Sequence, residues 1–118
     1  MKWVKQSIHY WCPDTKEHKF LGQNVTVAIL DTGISPHPDF KDRILSFRDF
    51  SSTTGSSEKV LFSFSHFSPL IDNSGHGTHV AGILAGSGLL SSGTYAGIAP
   101  FCNLIIGKVL DQNGNGSI

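Results

Sequence analysis

Apolar and polar positions follow several rhythms along these 118 residues. Residues 24–31, NVTVAILD, are apolar on both sides of a two-residue repeat. Val25, Val27 and Ile29 face one way, and Ala28 and Leu30 the other. A strand of this kind belongs inside a parallel sheet, with cover on each face. Thr32-Gly33 ends it, and SPHPDF at 35–40, with two prolines, reads as a loop. Arg43 to Phe50 is predicted to be a short second strand with Ile44, Leu45 and Phe47 apolar. The Ser/Thr/Gly-rich 51–59 stretch reads as a loop. Val60 to Leu70 alternates from Phe62 to Phe67, the period of a surface hairpin strand.

A helical rhythm follows, starting near Ser74-Gly75-His76. Val80, Ile83 and Leu84 fall at i, i+3 and i+4, which predicts one buried stripe. Ala81, Gly82 and Ala85 are small enough for close packing on a sheet, and Gly86-Ser87-Gly88 stops the helix. Residues 89–97 read as a loop, and Asn103 to Leu110, NLIIGKVL, as another mostly apolar strand. Strand, helix, strand in this order predicts a right-handed parallel crossover and an α/β fold. Residues 1–23 show only weak periodicity, through Trp3, Val4, Ile8, Trp11, Phe20 and Leu21. They read as an N-terminal arm packed on the surface of a domain that occupies 24–118.

Composition narrows the classes. Nine Lys and Arg balance nine Asp and Glu. With the cations scattered, this speaks against a nucleic-acid or anionic-membrane binder acting through bulk charge. No stretch approaches the length of a membrane span, and MKWVKQSIHYW lacks the pattern of a signal peptide. The chain as given is expected to be soluble and cytoplasmic. Cys12 and Cys102 stand far apart in no metal-ligand spacing and read as free thiols. Thirteen glycines, clustered after residue 74, mark tight turns or close backbone approaches.

Two side chains carry candidate chemistry. Asp31 closes an apolar strand, at the sheet end where ligands and catalytic groups gather. A carboxylate there needs hydrogen bonds or a partner, which the following Thr-Gly can begin to supply. It reads equally as a functional acid or as a turn cap. His76 sits at a helix start, where the dipole favours a neutral ring able to accept a proton. Gly75 and Gly77 clear space beside it. A carboxylate that orients an imidazole makes up two members of a serine-hydrolase triad. His79 neighbours His76 at i+3, and the pair is also a candidate metal site, though no Glu stands between 59 and 118. An inward-packed His79 that supports local hydrogen bonds is the expectation. His9, His18, His37 and His66 have no partner motif and read as surface residues.

Taken together, these segments resemble the subtilisin-like serine proteases, the subtilases (peptidase S8). Val25 to Ile34, VTVAILDTGI, is similar to the family's catalytic-aspartate segment, and His37-Pro38-Asp39-Phe40 to the segment that follows it. Asp72 to Gly82, DNSGHGTHVAG, resembles the catalytic-histidine segment, with His76 in the catalytic place. Tyr95 to Pro100 resembles the turn before the strand matched by Lys108-Val109-Leu110. The resemblance implies a three-layer, mostly parallel sheet with helices on both faces, here incomplete. It also implies Asp31 and His76 as two catalytic residues acting on a polypeptide substrate. Many relatives bind calcium, and Asp39 matches one ligand position, whereas the partner loop from Gly88 to Tyr95 has no Asn or Asp. The family is often secreted, with a signal and an inhibitory propeptide that are not evident here.

The family's Gly-Thr-Ser-type nucleophile segment does not occur in the chain. Ser74, Ser87, Ser91, Ser92 and Ser117 stand in other contexts. The favoured expectation is therefore the N-terminal part of a subtilisin-like endopeptidase, cut short and inactive alone. The alternative is a non-catalytic module that pairs with another chain, such as the remainder of the peptidase domain. A small metal-binding domain using His76 and His79 is the third.

Overall fold

The computed structural model describes residues 2–10, 20–51 and 70–116. The predicted loop and strand between 52 and 69 lie outside these residues, as do Trp11, Cys12, His18, His66 and Ser117. The elements are helix α1 (Lys2–Ser7), strand β1 (Thr26–Asp31), strand β2 (Ile44–Asp49), helix α2 (His76–Ala85) and strand β3 (Asn103–Lys108). The strands form one parallel sheet in the order β1-β3-β2. This parallel sheet with a helix packed on it is the α/β arrangement that the order strand, helix, strand predicted.

β3 is the central strand, paired with β1 on one side and β2 on the other. Leu104 and Ile106 are buried between two neighbours, while Ile105 turns outward. Gly107 continues the strand without a side chain. A Cβ there would meet Leu30 Cδ2 at 2.6 Å, so the glycine admits the β1 leucine over the strand. In register, Asp31 lies opposite Lys108 on one side and Asp49 opposite Lys108 on the other. The polar ends of all three strands therefore share one rim.

β1 departs from its predicted two-sided burial. Its one strand neighbour among the described residues is β3, and burial alternates along it: Ile29 and Asp31 are buried, while Ala28 is exposed and Leu30 is 68% exposed. Helix α2 covers only the face that carries Ile29.

The buried stripe of α2 also differs from the predicted one. Gly77, Ala81 and Ala85 face the sheet, Val80 and Leu84 flank them, and Ile83 is 43% exposed. Small residues win this face because the helix backbone lies directly on the loop after β1. At Gly77 a Cβ would collide with the Gly33 carbonyl oxygen. Gly75 caps the helix in the left-handed region, at φ 86°, where glycine carries no penalty. The core joins Ile29, Ile34, Phe40, Phe47, Ala81, Ala85, Cys102, Leu104 and Ile106. Cys102 is a free, buried thiol, and burial pushes its pKa upward.

Two predicted loops contain short 3-10 turns, Pro38–Phe40 and Leu89–Ser91. His37 is exposed and caps the first, its ring accepting the Asp39 amide at 3.2 Å. His9 is exposed as well. The N-terminal segment touches the rest of the molecule through Tyr10, whose hydroxyl donates to the Ile98 carbonyl at 2.7 Å. Leu21 adds a contact by accepting the Phe101 amide at 2.9 Å. Trp3, Val4 and Ile8 stay exposed. No described helix is long and apolar enough to cross a membrane.

Candidate active site

The acid and the ring, 45 positions apart, meet at the rim of the sheet. Asp31 ends β1 and is buried, and His76 is the first residue of α2. The His76 Nδ1 lies 2.8 Å from Asp31 Oδ1 and 3.0 Å from Oδ2. An ionised carboxylate only accepts, so the geometry assigns the proton to Nδ1 and leaves the Nε2 lone pair free. The Thr32 amide adds a 2.7 Å bond to Asp31 Oδ1. Burial alone would push the Asp31 pKa up, but the bonds from His76 and Thr32 outweigh it and hold the group below its ordinary value. Asp31 is therefore ionised at neutral pH. The side chain of His76 is 66% exposed and that of Asp31 13%.

The sequence places these groups together by close backbone contact and by hydroxyl bridges. After β1 the chain passes under the start of α2 through Gly33, at φ 118°. The Ile34 amide then bonds the Ile71 carbonyl at 3.2 Å. The Thr32 hydroxyl accepts the Gly77 amide at 2.9 Å, and the Thr78 hydroxyl accepts the Ser35 amide at 2.9 Å. Between them stands Asp72. Its Oδ1 accepts from the Thr32 hydroxyl at 2.9 Å and from the amides of Ser74 at 3.2 Å and Gly75 at 2.8 Å. Its Oδ2 accepts from the Thr78 amide at 2.8 Å and hydroxyl at 2.5 Å. Burial again opposes the charge, yet these donors, with the Thr78 hydroxyl foremost, lower the Asp72 pKa to about 2. On the other side, Lys108 is buried, at 5% exposure. Its ammonium donates to the carbonyls of Thr32 at 2.9 Å and Leu110 at 2.7 Å.

Sequence reasoning assigned no role to Asp72 or Lys108. Both carried a signal: Asp72 is an acid just before a helix start, and Lys108 is the lone charge in an apolar strand. His79, expected to pack inward, is exposed on α2. The reason is geometric, because Gly77 and Ala81 take the sheet-facing positions on either side of it. Among the described residues, no three His, Cys, Asp or Glu side chains gather as a metal site.

Asp39 does meet the loop from Gly88 to Tyr95, as the resemblance implied, but through amide donors. The Gly88 amide bonds its Oδ2 and the Leu89 amide its Oδ1, both at 3.1 Å. Calcium takes about six to eight oxygen ligands. A cation here would face N–H groups beside one carboxylate, so these donors do not fit calcium. The serines have other duties as well. Ser91 donates its hydroxyl to the Gly88 carbonyl at 3.0 Å, and Ser87 accepts the Leu89 amide at 3.3 Å. Among the described residues, no serine hydroxyl bonds His76.

Residues 22–118 match the model of the Subtilase family. The chain is 47% identical over 97 residues to Serine protease AprX of Bacillus subtilis (strain 168), covering 82% of this chain and 19% of that protein. It is 41% identical over 97 residues to the Major intracellular serine protease of the same organism, covering 80% and 27%. With Subtilisin Savinase of Lederbergia lenta the identity is 37% over 106 residues, covering 90% and 33%. The chain thus spans a third or less of the length of these curated relatives.

Proposed function

This chain belongs to the subtilase family of serine proteases, and from that premise we propose that it supplies the acid and base of a peptide-cleaving triad. Asp31 holds the Nδ1–H of His76 and stabilises the imidazolium that forms. His76 takes the proton of an attacking serine hydroxyl at Nε2 and returns it to the leaving amine. The substrate is a polypeptide. The 2.8 Å bond between His76 Nδ1 and Asp31 Oδ1 is the observation that carries this reading. No Gly-Thr-Ser-type segment occurs in these 118 residues, and on this reading the chain alone forms no acyl-enzyme. Purified as it stands, it should take no label from a fluorophosphonate probe.

A chimera tests the roles. Residues 22–118 replace the matching segment of AprX, and casein hydrolysis is read. The chimera should cleave, and His76→Ala should abolish cleavage. Asp31→Asn should slow it by roughly the 10⁴-fold lost when the orienting carboxylate of a serine-protease triad is replaced. A folded, active chimera indifferent to both changes would end the proposal.

A second reading, a non-catalytic module that pairs with another chain, draws on the exposed Ala28, Leu30 and Ile105 of the outer sheet face. It predicts stable complexes between the 118-residue chain and a serine-bearing partner, with no gain of hydrolysis. Light scattering and a casein assay on the same mixture separate the two readings.

A further inference from the structure

We propose that Asp72 is a positioning residue for the Asp31–His76 pair, acting through the hydroxyls of Thr32 and Thr78. The inference rests on the reading of that pair as the acid and base. Its basis is a reciprocal exchange between two segments. Thr32 belongs to the β1 loop, yet its hydroxyl accepts from Gly77 in α2, at 2.9 Å. Thr78 belongs to α2, yet its hydroxyl accepts from Ser35 in the β1 loop, at 2.9 Å. Each hydroxyl has a single proton, and each gives it to Asp72, one to either carboxylate oxygen. Only an acceptor can receive both protons at once. Asp72 therefore fixes the direction of both hydroxyls, and they fix the loop after Asp31 against the first turn that bears His76. The Gly75 and Thr78 amides, bonded to the same carboxylate, flank His76 on both sides in sequence.

A carboxamide cannot replace this group. Turned either way, its NH2 faces a backbone donor, Gly75 and Ser74 on one side or Thr78 on the other. One clasp must open, and the ring loses its fixed seat against Asp31. Besides Asp72, the charged or titratable groups on the elements around the ring include Asp31 ending β1, Lys108 ending β3 with its ammonium on the Thr32 carbonyl, and His79 on α2. All three remain in the Asp72 and Thr78 variants below, and Asp31 changes only in the control.

The test reads the tautomer of His76 by nitrogen-15 NMR of the neutral ring in the 118-residue chain. Wild type should be held as the Nδ1–H form. Asp72→Asn should raise the ratio of the Nε2–H to the Nδ1–H form at least about fivefold, the weight of one neutral hydrogen bond. Thr78→Val should move it the same way, and Thr78→Ser, which keeps the hydroxyl, should read as wild type. If Asp72→Asn does not fold, the Thr78 variants alone decide. Asp31→Asn is the control, because its amide reverses the donor at Nδ1. A tautomer that responds to Asp31→Asn but to neither Asp72→Asn nor Thr78→Val would overturn the positioning role and leave the pair intact. A tautomer indifferent to Asp31→Asn would overturn the reading of the pair itself, and this inference with it.

Discussion

The α-carbon of Gly77 rests on the carbonyl of Gly33, and no side chain fits between them. A methyl at Gly77 would also stand 3.2 Å from Asp31 Oδ1. Gly77→Ala should therefore push α2 off the β1 loop and destabilise the fold by about 1–3 kcal/mol, the usual cost of overpacking. Urea unfolding of the two proteins would show it as a lower midpoint. In the AprX chimera the same change should reduce hydrolysis, since the displaced turn carries His76.

Lys108 joins the two carbonyls that flank the carboxyl ends of β1 and β3. Lys108→Met keeps most of the stem and its packing but leaves the Thr32 and Leu110 carbonyls without their donor. A buried, unpaired carbonyl costs about 1–3 kcal/mol, and the Thr32 carbonyl is the buried one of the two. The variant should unfold at a lower temperature by calorimetry. An unchanged midpoint would mean that these carbonyls find other partners.

Arg43 is a fork across three segments. Its guanidinium bonds the Cys102 carbonyl at 2.8 Å, the Ala85 carbonyl at 2.6 Å and the Asp39 carbonyl. It thereby closes the end of α2 against the loop before β2. A lysine cannot reach three carbonyls in one plane. Arg43→Lys should lose about 1–3 kcal/mol of stability in urea, while Arg48→Lys, within β2, should lose little.

Acid should act through Asp72. Its folded-state pKa of about 2 lies below the ordinary 3.8, so the unfolded chain binds its proton first. The stability this carboxylate contributes is complete above the ordinary value and fades as pH falls from there through about 2. Asp31 is shifted in the same direction and adds to the same limb. Unfolding midpoints should be level between pH 6 and pH 5 and decline below pH 4. Asp72→Asn should start lower and decline less, which urea titrations at a series of pH values would reveal.

The fold was legible where local pattern decides it. The presence of β1 and β2, to within two residues of their observed bounds, the start of α2 at His76 and the parallel pairing follow from apolar rhythm and glycine punctuation. The contact between Asp31 and His76 was legible through the motifs that resemble the subtilases, because Asp31 on its own reads equally as a turn cap. What stayed hidden depends on contacts distant in sequence. Ile83 looks like core by periodicity, but Gly77 and Ala81 take the inner face because only a bare helix surface fits over Gly33. β1 looks interior by composition, but its order in the sheet is set by which neighbour β3 accepts. Asp39 matched a ligand position by alignment of residue types, and its actual partners are amides that no pattern of side chains discloses. Asp72 and Lys108 each showed a charge in an apolar or helix-opening context, while their roles follow from bonds that cross 40 and 76 positions.

His76 is oriented from beneath and approached from above. Its partner is sealed against the sheet, while most of the ring faces outward. On the proposed function, the residues that orient the ring are thus distinct from those that would meet whatever approaches its open face. On that same function, whatever covers the open face of the ring could be changed without disturbing the bond that orients it.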